Sequence, residues 1–281
     1  MESSSTNKVD LFLVGSRKSG TTSLANFLGG HNEISLCNIK EPNHFNNASV
    51  KSIDNYHSMF DWNKNIQLDA STGYTSNLNN TKNICEAIYA YNPKAKVIYT
   101  IREPLERIRS HYRMSYERGD LNTSLNEALR SHKLLLDCSR YYSQISVFIH
   151  IFGKENVLIL KSEELNKCET EKSIIYFLNL TRPFEKQIGI DNTANTDYRM
   201  PRSIDRILTN KLYTIIKSMF PKCIVTFVKS NYYKAKNKNL SMKLNLESKE
   251  ILKTELIPEM HKLKTIVDFD ISNWTEKLNI L

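Results

Sequence analysis

The segment that most restricts how this chain can fold is a short apolar run that ends at a glycine-bounded loop. Val9–Val14 is predicted to form a buried strand, Gly15–Gly20 a loop, and Thr21–Gly29 a helix whose apolar residues recur at helical spacing. In a strand–loop–helix unit of this kind, the loop amides and the helix N-terminus point to one place, where they bind anions such as phosphate. The segment therefore predicts an α/β fold with a phosphate site in its first loop.

The rest of the chain continues the alternation of strands and helices. Further strands are predicted at Ile66–Leu68, Lys96–Ile101 and Asn156–Leu160. Helices are predicted at Asn80–Tyr91, Pro104–Arg118, Tyr141–Phe152, Ser173–Leu180 and Leu246–Val267, the last of them broken near Pro258. This alternation indicates crossover units, and so a central parallel β-sheet flanked by helices. We predict a single domain over residues 1–281, with a mainly helical C-terminal part from about residue 204.

Charge and cysteine content narrow the classes of partner. The chain has 39 Lys and Arg against 30 Asp and Glu, a net charge of +9. This surplus favours an anionic partner, whether a nucleotide, an acidic saccharide, a nucleic acid or a membrane surface. The five cysteines are odd in number and contain no C-x-x-C pair, which disfavours a disulfide scaffold or a structural zinc site. With no signal-like segment and no apolar run of about 18–20 residues, we expect a soluble, cytoplasmic protein without a membrane partner.

The first loop differs from the phosphate loop of nucleoside triphosphatases. A Walker A loop has its lysine directly after the second glycine, whereas this chain has Thr21 there and carries Lys18 inside the loop. Such enzymes also have a strand that ends in an aspartate for magnesium, whereas Lys96–Ile101 is followed by Arg102. The sequence therefore predicts a phosphate site without a metal ion.

A second candidate phosphate site follows the strand Lys96–Ile101. Arg102 lies at the carboxyl end of that strand, where ligands bind in open α/β sheets. Ser110 lies eight residues later on the next helix, and both residues reach one phosphate if the strand end and the helix flank the same crevice. The alternative is an exposed helix whose arginines, Arg107 and Arg109 among them, are simply solvated.

Two residues near position 40 are candidates for a general base. Glu41 precedes Pro42, which disfavours the α conformation and predicts an extended backbone at Glu41. A carboxylate held in a loop beside a basic crevice can accept a proton from a substrate. His44 is the alternative, because its ordinary pKa suits neutral pH. The residues alone do not decide between them.

Together, these segments resemble the sulfotransferases that use 3′-phosphoadenosine 5′-phosphosulfate (PAPS), in particular the bacterial and heparan-type branch. The resemblance rests on Arg17–Leu24, Lys40–Phe45, Asp69–Tyr74 and Arg102–Tyr112. It continues through Tyr141–Tyr142, Phe152–Leu158, Glu163–Leu165, Phe177–Leu178, Asn195, Pro201–Ser203 and Asp270–Trp274, and so covers nearly the whole chain. One departure is Thr72, which stands where the family usually has a proline.

The resemblance implies a fold related to the nucleotide kinases and a role for each matching residue. Lys18 would stabilise the leaving phosphate, and Glu41 would take the proton from the acceptor. The contacts to PAPS, the co-substrate, would come from Arg17, Lys18, Ser19, Gly20, Thr21, Thr22 and Ser23 at the 5′-phosphosulfate, Arg102 and Ser110 at the 3′-phosphate, and Arg202 over the nucleotide. The chemistry so implied needs no metal.

The acceptor is less constrained than the donor. The resemblance implies sulfuryl transfer to a hydroxyl or amine of a small molecule, for instance a natural product of secondary metabolism such as a saxitoxin-like alkaloid, with Asp69 as a candidate contact for its positive charge. The alternatives are sulfation of a saccharide, a P-loop kinase, and a basic nucleic-acid-binding protein that uses Lys229–Lys238. We expect no nucleic-acid partner, and the sequence does not predict the oligomeric state.

Overall fold

The strands pair side by side as one parallel sheet in the computed structural model of the chain, which describes residues 7–47, 52–186, 188 and 240–281. The strands are β1 (Leu11–Gly15), β2 (Ile34–Leu36), β3 (Ile66–Ala70), β4 (Lys96–Ile101) and β5 (Val157–Lys161). Their order in the sheet is β2-β3-β1-β4-β5, and every neighbouring pair is parallel. The predicted fold class, a parallel sheet flanked by helices, is confirmed.

Helices connect the strands and continue after the sheet. Those of the described residues are α1 (Thr21–Gly29), α2 (Ile53–His57), α3 (Leu78–Tyr91), α4 (Pro104–Glu117), α5 (Leu125–Ser131), α6 (Leu134–Asp137), α7 (Tyr141–Phe152), α8 (Cys168–Leu178), α9 (Leu246–Leu263) and α10 (Ser272–Ile280). Across the described ranges, none of these helices has the length and apolar character that crossing a bilayer requires.

The two faces of the sheet have separate apolar cores, because successive side chains of a strand point to opposite faces. On β1, Phe12 and Val14 belong to a large cluster that includes buried side chains of α3, α7, α9 and α10. Leu11 and Leu13 belong to a smaller cluster with α1 and α8. All four of these β1 side chains are fully buried. The central strand is thus covered on both sides, as expected for a parallel sheet.

The late helix differs from its prediction. α9 runs through Pro258 without a break, so the predicted interruption at this residue is wrong. Proline removes the backbone bond to the carbonyl four residues earlier, which here belongs to Thr254. Both Thr254 and Pro258 are exposed, so water can satisfy the released carbonyl. Buried residues on the opposite face, Leu252 and Leu256, hold the helix against the core.

The carboxyl ends of the five strands lie along one edge of the sheet, because all the strands are parallel. The loop 15–20 follows β1, the segment around residue 41 follows β2, the turn Thr72–Thr75 follows β3, and Arg102 follows β4. In open α/β sheets this edge is where ligands bind. The topology therefore brings every described candidate segment to one side of the molecule.

Candidate active site

The loop after β1 has the backbone of an anion site. Gly20 is the N-cap of α1 with φ 79°, and among the described residues no side chain caps the first amides of this helix. A Cβ at position 20 would lie 2.8 Å from Leu165 Cδ1, so the loop packs tightly at this glycine. Lys18 also has a left-handed backbone, with φ 72°. Such strain in a non-glycine residue costs about 1–3 kcal/mol and is found mostly at functional sites.

The serines of this loop support it from inside. Ser16 and Ser19 are fully buried, and their hydroxyl oxygens lie 2.5 Å apart. The Ser19 amide donates to the Ser16 carbonyl at 3.2 Å. The structure therefore places Ser19, a predicted cofactor contact, with its hydroxyl turned into the loop. Thr21, Thr22 and Ser23, at the start of α1, are partly or fully exposed.

Lys18 lies where positive charge is unfavourable. Burial is the largest cause that lowers the pKa of Lys18 below its usual value, and the charge of Arg118 is the next. Arg102 and Lys40 lower this pKa further, while Glu117 opposes them. Desolvation and like charges both disfavour the ammonium form. A bound anion would relieve that cost, which is the property expected of a site for phosphate.

Arg102 adjoins the first loop, as it must if the two predicted phosphate sites bind the same nucleotide. Its Nη1 lies 3.4 Å from the Lys18 carbonyl oxygen, a long hydrogen bond. The fully buried Tyr141 donates its hydroxyl to the Arg102 carbonyl at 2.7 Å and so fixes the backbone at the end of β4. Glu103 then caps α4, because its carboxylate accepts from the amides of Leu105 at 3.0 Å and Glu106 at 2.9 Å. Arg102 is therefore held between a buried tyrosine and a well-capped helix.

Arg107 ties α4 to the first loop, a role that the sequence did not reveal. The side chain is fully buried, and its Nη1 donates to the Arg17 carbonyl at 3.3 Å. Its Nε donates to Ser139 Oγ at 2.5 Å, and its Nη2 donates to the Leu135 carbonyl. The alternative of a solvated arginine is wrong for Arg107, whereas Arg109 is partly exposed and pairs with Glu106. The i+3 spacing from Arg107 to Ser110 places the half-buried Ser110 beside this face of α4.

His111 completes the support beneath the loop as a neutral ring. Its Nδ1 accepts from Arg107 Nη1 at 3.2 Å. Burial lowers the pKa of His111 to about 2, and the charges of Arg107 and Arg17 act in the same direction. The ring is therefore uncharged at every ordinary pH, which removes one positive charge from an already cationic neighbourhood.

The segment after β2 presents Glu41 to the same edge. Glu41 has φ 51° rather than the predicted extended backbone, so that prediction is wrong. The reason is local bonding: Asn43 Nδ2 donates to the Glu41 carbonyl at 2.8 Å, and Thr72 Oγ1 donates to Glu41 Oε1 at 2.9 Å. These bonds offset the cost of a left-handed backbone.

His44 lies in a different environment from Glu41. It is 4% exposed and stacks on Tyr56, with ring centroids 4.2 Å apart and planes 12° from parallel. Its ring also meets the edge of Phe45 at 4.9 Å. The structure thus places His44 within an aromatic cluster and Glu41 at the surface of a pocket.

Asp69 is a structural carboxylate and not a contact for a cationic acceptor, so that expectation is corrected. The residue is fully buried. Its Oδ2 accepts from the hydroxyls of Tyr56 and Tyr74, each at 2.7 Å, and its Oδ1 accepts from Ser71 Oγ at 2.5 Å. A buried carboxylate is stable only with such partners, and none of these pairings is visible in a sequence pattern.

A pocket joins the start of α1 to the Glu41 segment. Its volume is about 240 Å³, somewhat below the roughly 300–1,000 Å³ that is usual for drug-sized ligands. Thr21 and Thr22 from the start of α1, Glu41 and Thr72 are among its lining residues. The rest of the lining is Ala25, Asn26, Leu36, Cys37, Asn38, Ile39, Lys40 and Ala70. A small molecule in this pocket would lie between the phosphate loop and the Glu41 carboxylate.

Some predicted residues lie outside the described ranges. These are Arg202, the neighbouring motif residues Asn195 and Pro201–Ser203, and the basic stretch Lys229–Lys238. Residues 204–239, which begin the predicted C-terminal part, are likewise outside them. Within the described ranges, no group of three or more His, Cys, Asp and Glu side chains is placed to hold a metal ion; the expectation of metal-free chemistry stays a prediction.

Comparison with known proteins agrees with the fold and extends over most of the chain. Residues 8–225 match the model of the sulfotransferase domain. The bifunctional heparan sulfate N-deacetylase/N-sulfotransferase 1 of Caenorhabditis briggsae is 24% identical over 207 residues, covering 64% of this chain and 24% of the relative. The chain thus spans about a quarter of the length of this curated relative. The crystal structure of a sulfotransferase from Alicyclobacillus acidocaldarius superposes with a TM-score of 0.65 at 19% identity, covering 95% of this chain and 99% of that one.

Proposed function

This chain belongs to the sulfotransferase domain family and is a sulfotransferase, and we propose that it transfers a sulfuryl group from PAPS to a hydroxyl or amine of a small-molecule acceptor. One observation carries the proposal. The Arg102 guanidinium contacts the Lys18 carbonyl at the carboxyl edge of the sheet, and Thr21 and Glu41, from segments at the same edge, line one pocket. Cations for a doubly phosphorylated nucleotide and a carboxylate for its acceptor therefore meet at one place.

The donor side of the proposal rests on the first loop and on α4. Bound PAPS would supply the sulfuryl group and a phosphate leaving group. The first amides of α1, which no side chain of the described residues caps, and the ammonium of Lys18 stabilise negative charge that grows on that phosphate. Arg102 and Ser110 hold the 3′-phosphate, since a guanidinium fork matches a phosphate well. We include Arg17, Thr21, Thr22, Ser23 and Arg202 among the proposed donor contacts, and we assign Ser19 and Gly20 to the shape of the loop.

The acceptor side of the proposal rests on Glu41. Its carboxylate lines the pocket, so it can take the proton of an acceptor hydroxyl or amine as the new bond to sulfur forms and the bond from sulfur to the leaving phosphate breaks. His44, buried against Tyr56, stays the second candidate for this role. A base held beside the anion site positions the acceptor for in-line attack, which can supply much of the rate acceleration.

The pocket favours a small acceptor without net charge. Among its described lining residues, Glu41 is the one carboxylate and Lys40 is the one ammonium, so their charges cancel. A cationic alkaloid of the saxitoxin type would find no further carboxylate there, because Asp69 is buried and occupied. We therefore propose a neutral alcohol or amine of secondary metabolism. Sulfation of a saccharide amine is the second candidate, because the Caenorhabditis briggsae relative is a heparan sulfate N-deacetylase/N-sulfotransferase.

The proposal is tested by sulfate transfer from labelled PAPS, in EDTA, to a panel of neutral alcohols, neutral amines, cationic guanidines and glucosamine-containing oligosaccharides. With an active acceptor, Glu41→Gln should lower kcat by roughly 10²–10⁴-fold, the usual worth of a general base. Glu86→Gln is the matched control, because Glu86 is an exposed residue of α3. Near wild-type turnover by the Glu41 variant would move the base role to His44 or to another group. A requirement for magnesium with ATP as donor would restore the kinase alternative.

A further inference from the structure

Thr72 makes a contact that the usual proline at its position could not make. Its Oγ1 donates to Glu41 Oε1 at 2.9 Å, and the residue is 3% exposed. We propose that Thr72 is a positioning residue, which holds the Glu41 carboxylate in the orientation that receives the acceptor's proton. The proposal rests on the proposed role of Glu41 as the base.

A hydrogen bond to the Glu41 carboxylate matters because the side chain is long and flexible. The side chain has three rotatable bonds, lies at the surface of the pocket and starts from a backbone with φ 51°. The hydrogen bond to Oε1 restricts the rotation of the carboxylate, and Oε2 is the oxygen that we assign to take the proton. Thr72 keeps its own proton throughout, so the acceptor's proton ends on Glu41 and the charges balance.

The turn that carries Thr72 is itself anchored. Thr72 begins the turn Thr72–Thr75, directly after β3 and Ser71. The Thr72 carbonyl accepts from Ser76 Oγ at 3.0 Å, and Ser71 Oγ donates to the buried Asp69 at 2.5 Å. The donor hydroxyl is thus built on the end of a core strand, and elements of this kind hold functional groups more precisely than free loops do.

The turn and the Glu41 segment also fit closely against each other. The amide of Asn43 donates to Ser71 Oγ at 3.0 Å. A Cβ at Gly73 would lie 2.1 Å from Asn43 Oδ1, so this position accepts no side chain without displacing Asn43. Because Asn43 also bonds to the Glu41 carbonyl at 2.8 Å, the two segments can hardly move independently. The position of the base is therefore set by the end of β3.

The test compares Thr72→Val, which keeps the shape and removes the donor, with Thr72→Ser, which keeps the donor. Loss of one hydrogen bond to a charged group corresponds to roughly a 10- to 150-fold change. We expect Thr72→Val to lower kcat by about that factor with the KM for PAPS unchanged. Thr72→Ser should stay within about threefold of the wild type, and Thr72→Pro should behave like the valine variant. Thr81→Val is the control, because Thr81 is a buried threonine of α3 that bonds to the Asn77 carbonyl.

A double variant separates positioning from general disturbance. In the Glu41→Gln background, Thr72→Val should have little further effect on kcat, because residues that act as a unit are not additive. Binding of adenosine 3′,5′-bisphosphate, measured by calorimetry, shows that each variant is folded. Equal kcat values for Thr72→Val and the wild type, or equal losses in the valine and serine variants, would overturn the positioning role while leaving the proposed function intact. Full activity of Glu41→Gln would instead remove the base role on which the positioning depends.

Discussion

Replacing Arg107 with methionine tests whether this buried guanidinium holds the first loop against α4. Methionine keeps an unbranched side chain of similar length but donates no hydrogen bonds. The change would leave four acceptors without this donor, namely the carbonyls of Arg17 and Leu135, the hydroxyl of Ser139 and the Nδ1 of His111. Leaving a buried partner unsatisfied costs about 1–3 kcal/mol for each group. Because methionine also avoids the desolvation of a buried charge, we expect a net loss of about 3–5 kcal/mol in the free energy of unfolding.

The loss should be visible by calorimetry and in ligand binding. One kcal/mol shifts Tm by roughly 2–4 °C in domains of about this size, so Tm of the Arg107→Met protein should fall by about 10 °C. The release of the Arg17 carbonyl should also displace the loop. Because a small displacement of a functional group can have a large effect, we expect binding of adenosine 3′,5′-bisphosphate to weaken by roughly 10- to 100-fold.

Arg109→Met is the matched control on the same helix. Arg109 is partly exposed and pairs with Glu106 at 2.9 Å, a contact worth about 0.2–0.5 kcal/mol. Its Tm should change by no more than about 2 °C. If the two variants lose the same stability and bind the nucleotide alike, Arg107 is not the tie between loop and helix, and the reasoning fails.

Two further predictions concern charge at the site. His111 has a pKa of about 2 when folded and about 6.5 when unfolded, so its contribution to stability is complete above pH 6.5 and is lost as the pH falls below it. His111→Asn should therefore remove about 1.4 kcal/mol from the stability difference between pH 7.5 and pH 5.5 in urea titrations. An unchanged difference would show that the ring has the same pKa in the folded and the unfolded chain. Lys18→Met should lower turnover by roughly 10²–10³-fold. The Tm of the ligand-free variant should nevertheless equal or exceed that of the wild type, because burial and neighbouring cations disfavour the ammonium of Lys18. A lower Tm together with normal turnover would contradict both expectations.

The strongly patterned parts of the fold were predictable from the sequence. The bounds of α1, β4 and α7 agree with the predicted Thr21–Gly29, Lys96–Ile101 and Tyr141–Phe152. Each has a clear hydrophobic period or a dense apolar run, and clear stop residues. β2 escaped prediction because it has only three residues, too few to show a period. α9 was misread at Pro258, because a proline on a solvent-facing side costs a helix less than the sequence rule assumes.

Site residues that directly follow a predicted strand could be predicted from the sequence. Contacts between segments that are far apart in the chain could not. Lys18 and Arg102 each follow a predicted strand, so their arrival at one sheet edge could be foreseen. Glu41 follows β2, which was not predicted, so its place at that edge could not be foreseen in the same way. The sequence could not show that Arg107 is buried, because a charged residue on a helix usually faces water. Asp69 was misread for the converse reason. Its hydroxyl partners, such as Tyr56, come from other segments of the chain and neutralise the cost of its burial.

The most direct measurement is a calorimetric titration, in EDTA, of adenosine 3′,5′-bisphosphate and of 5′-AMP into the wild type and Arg102→Met. The two nucleotides differ only in the 3′-phosphate, so their difference in binding free energy isolates the second phosphate site. We expect the wild type to prefer the bisphosphate by at least tenfold and Arg102→Met to lose most of that preference while binding 5′-AMP as before. A preference that survives in the variant would contradict the assignment of the two cationic segments to the two ends of one nucleotide. Tighter binding of ATP in a parallel titration, with magnesium in place of EDTA, would contradict it as well.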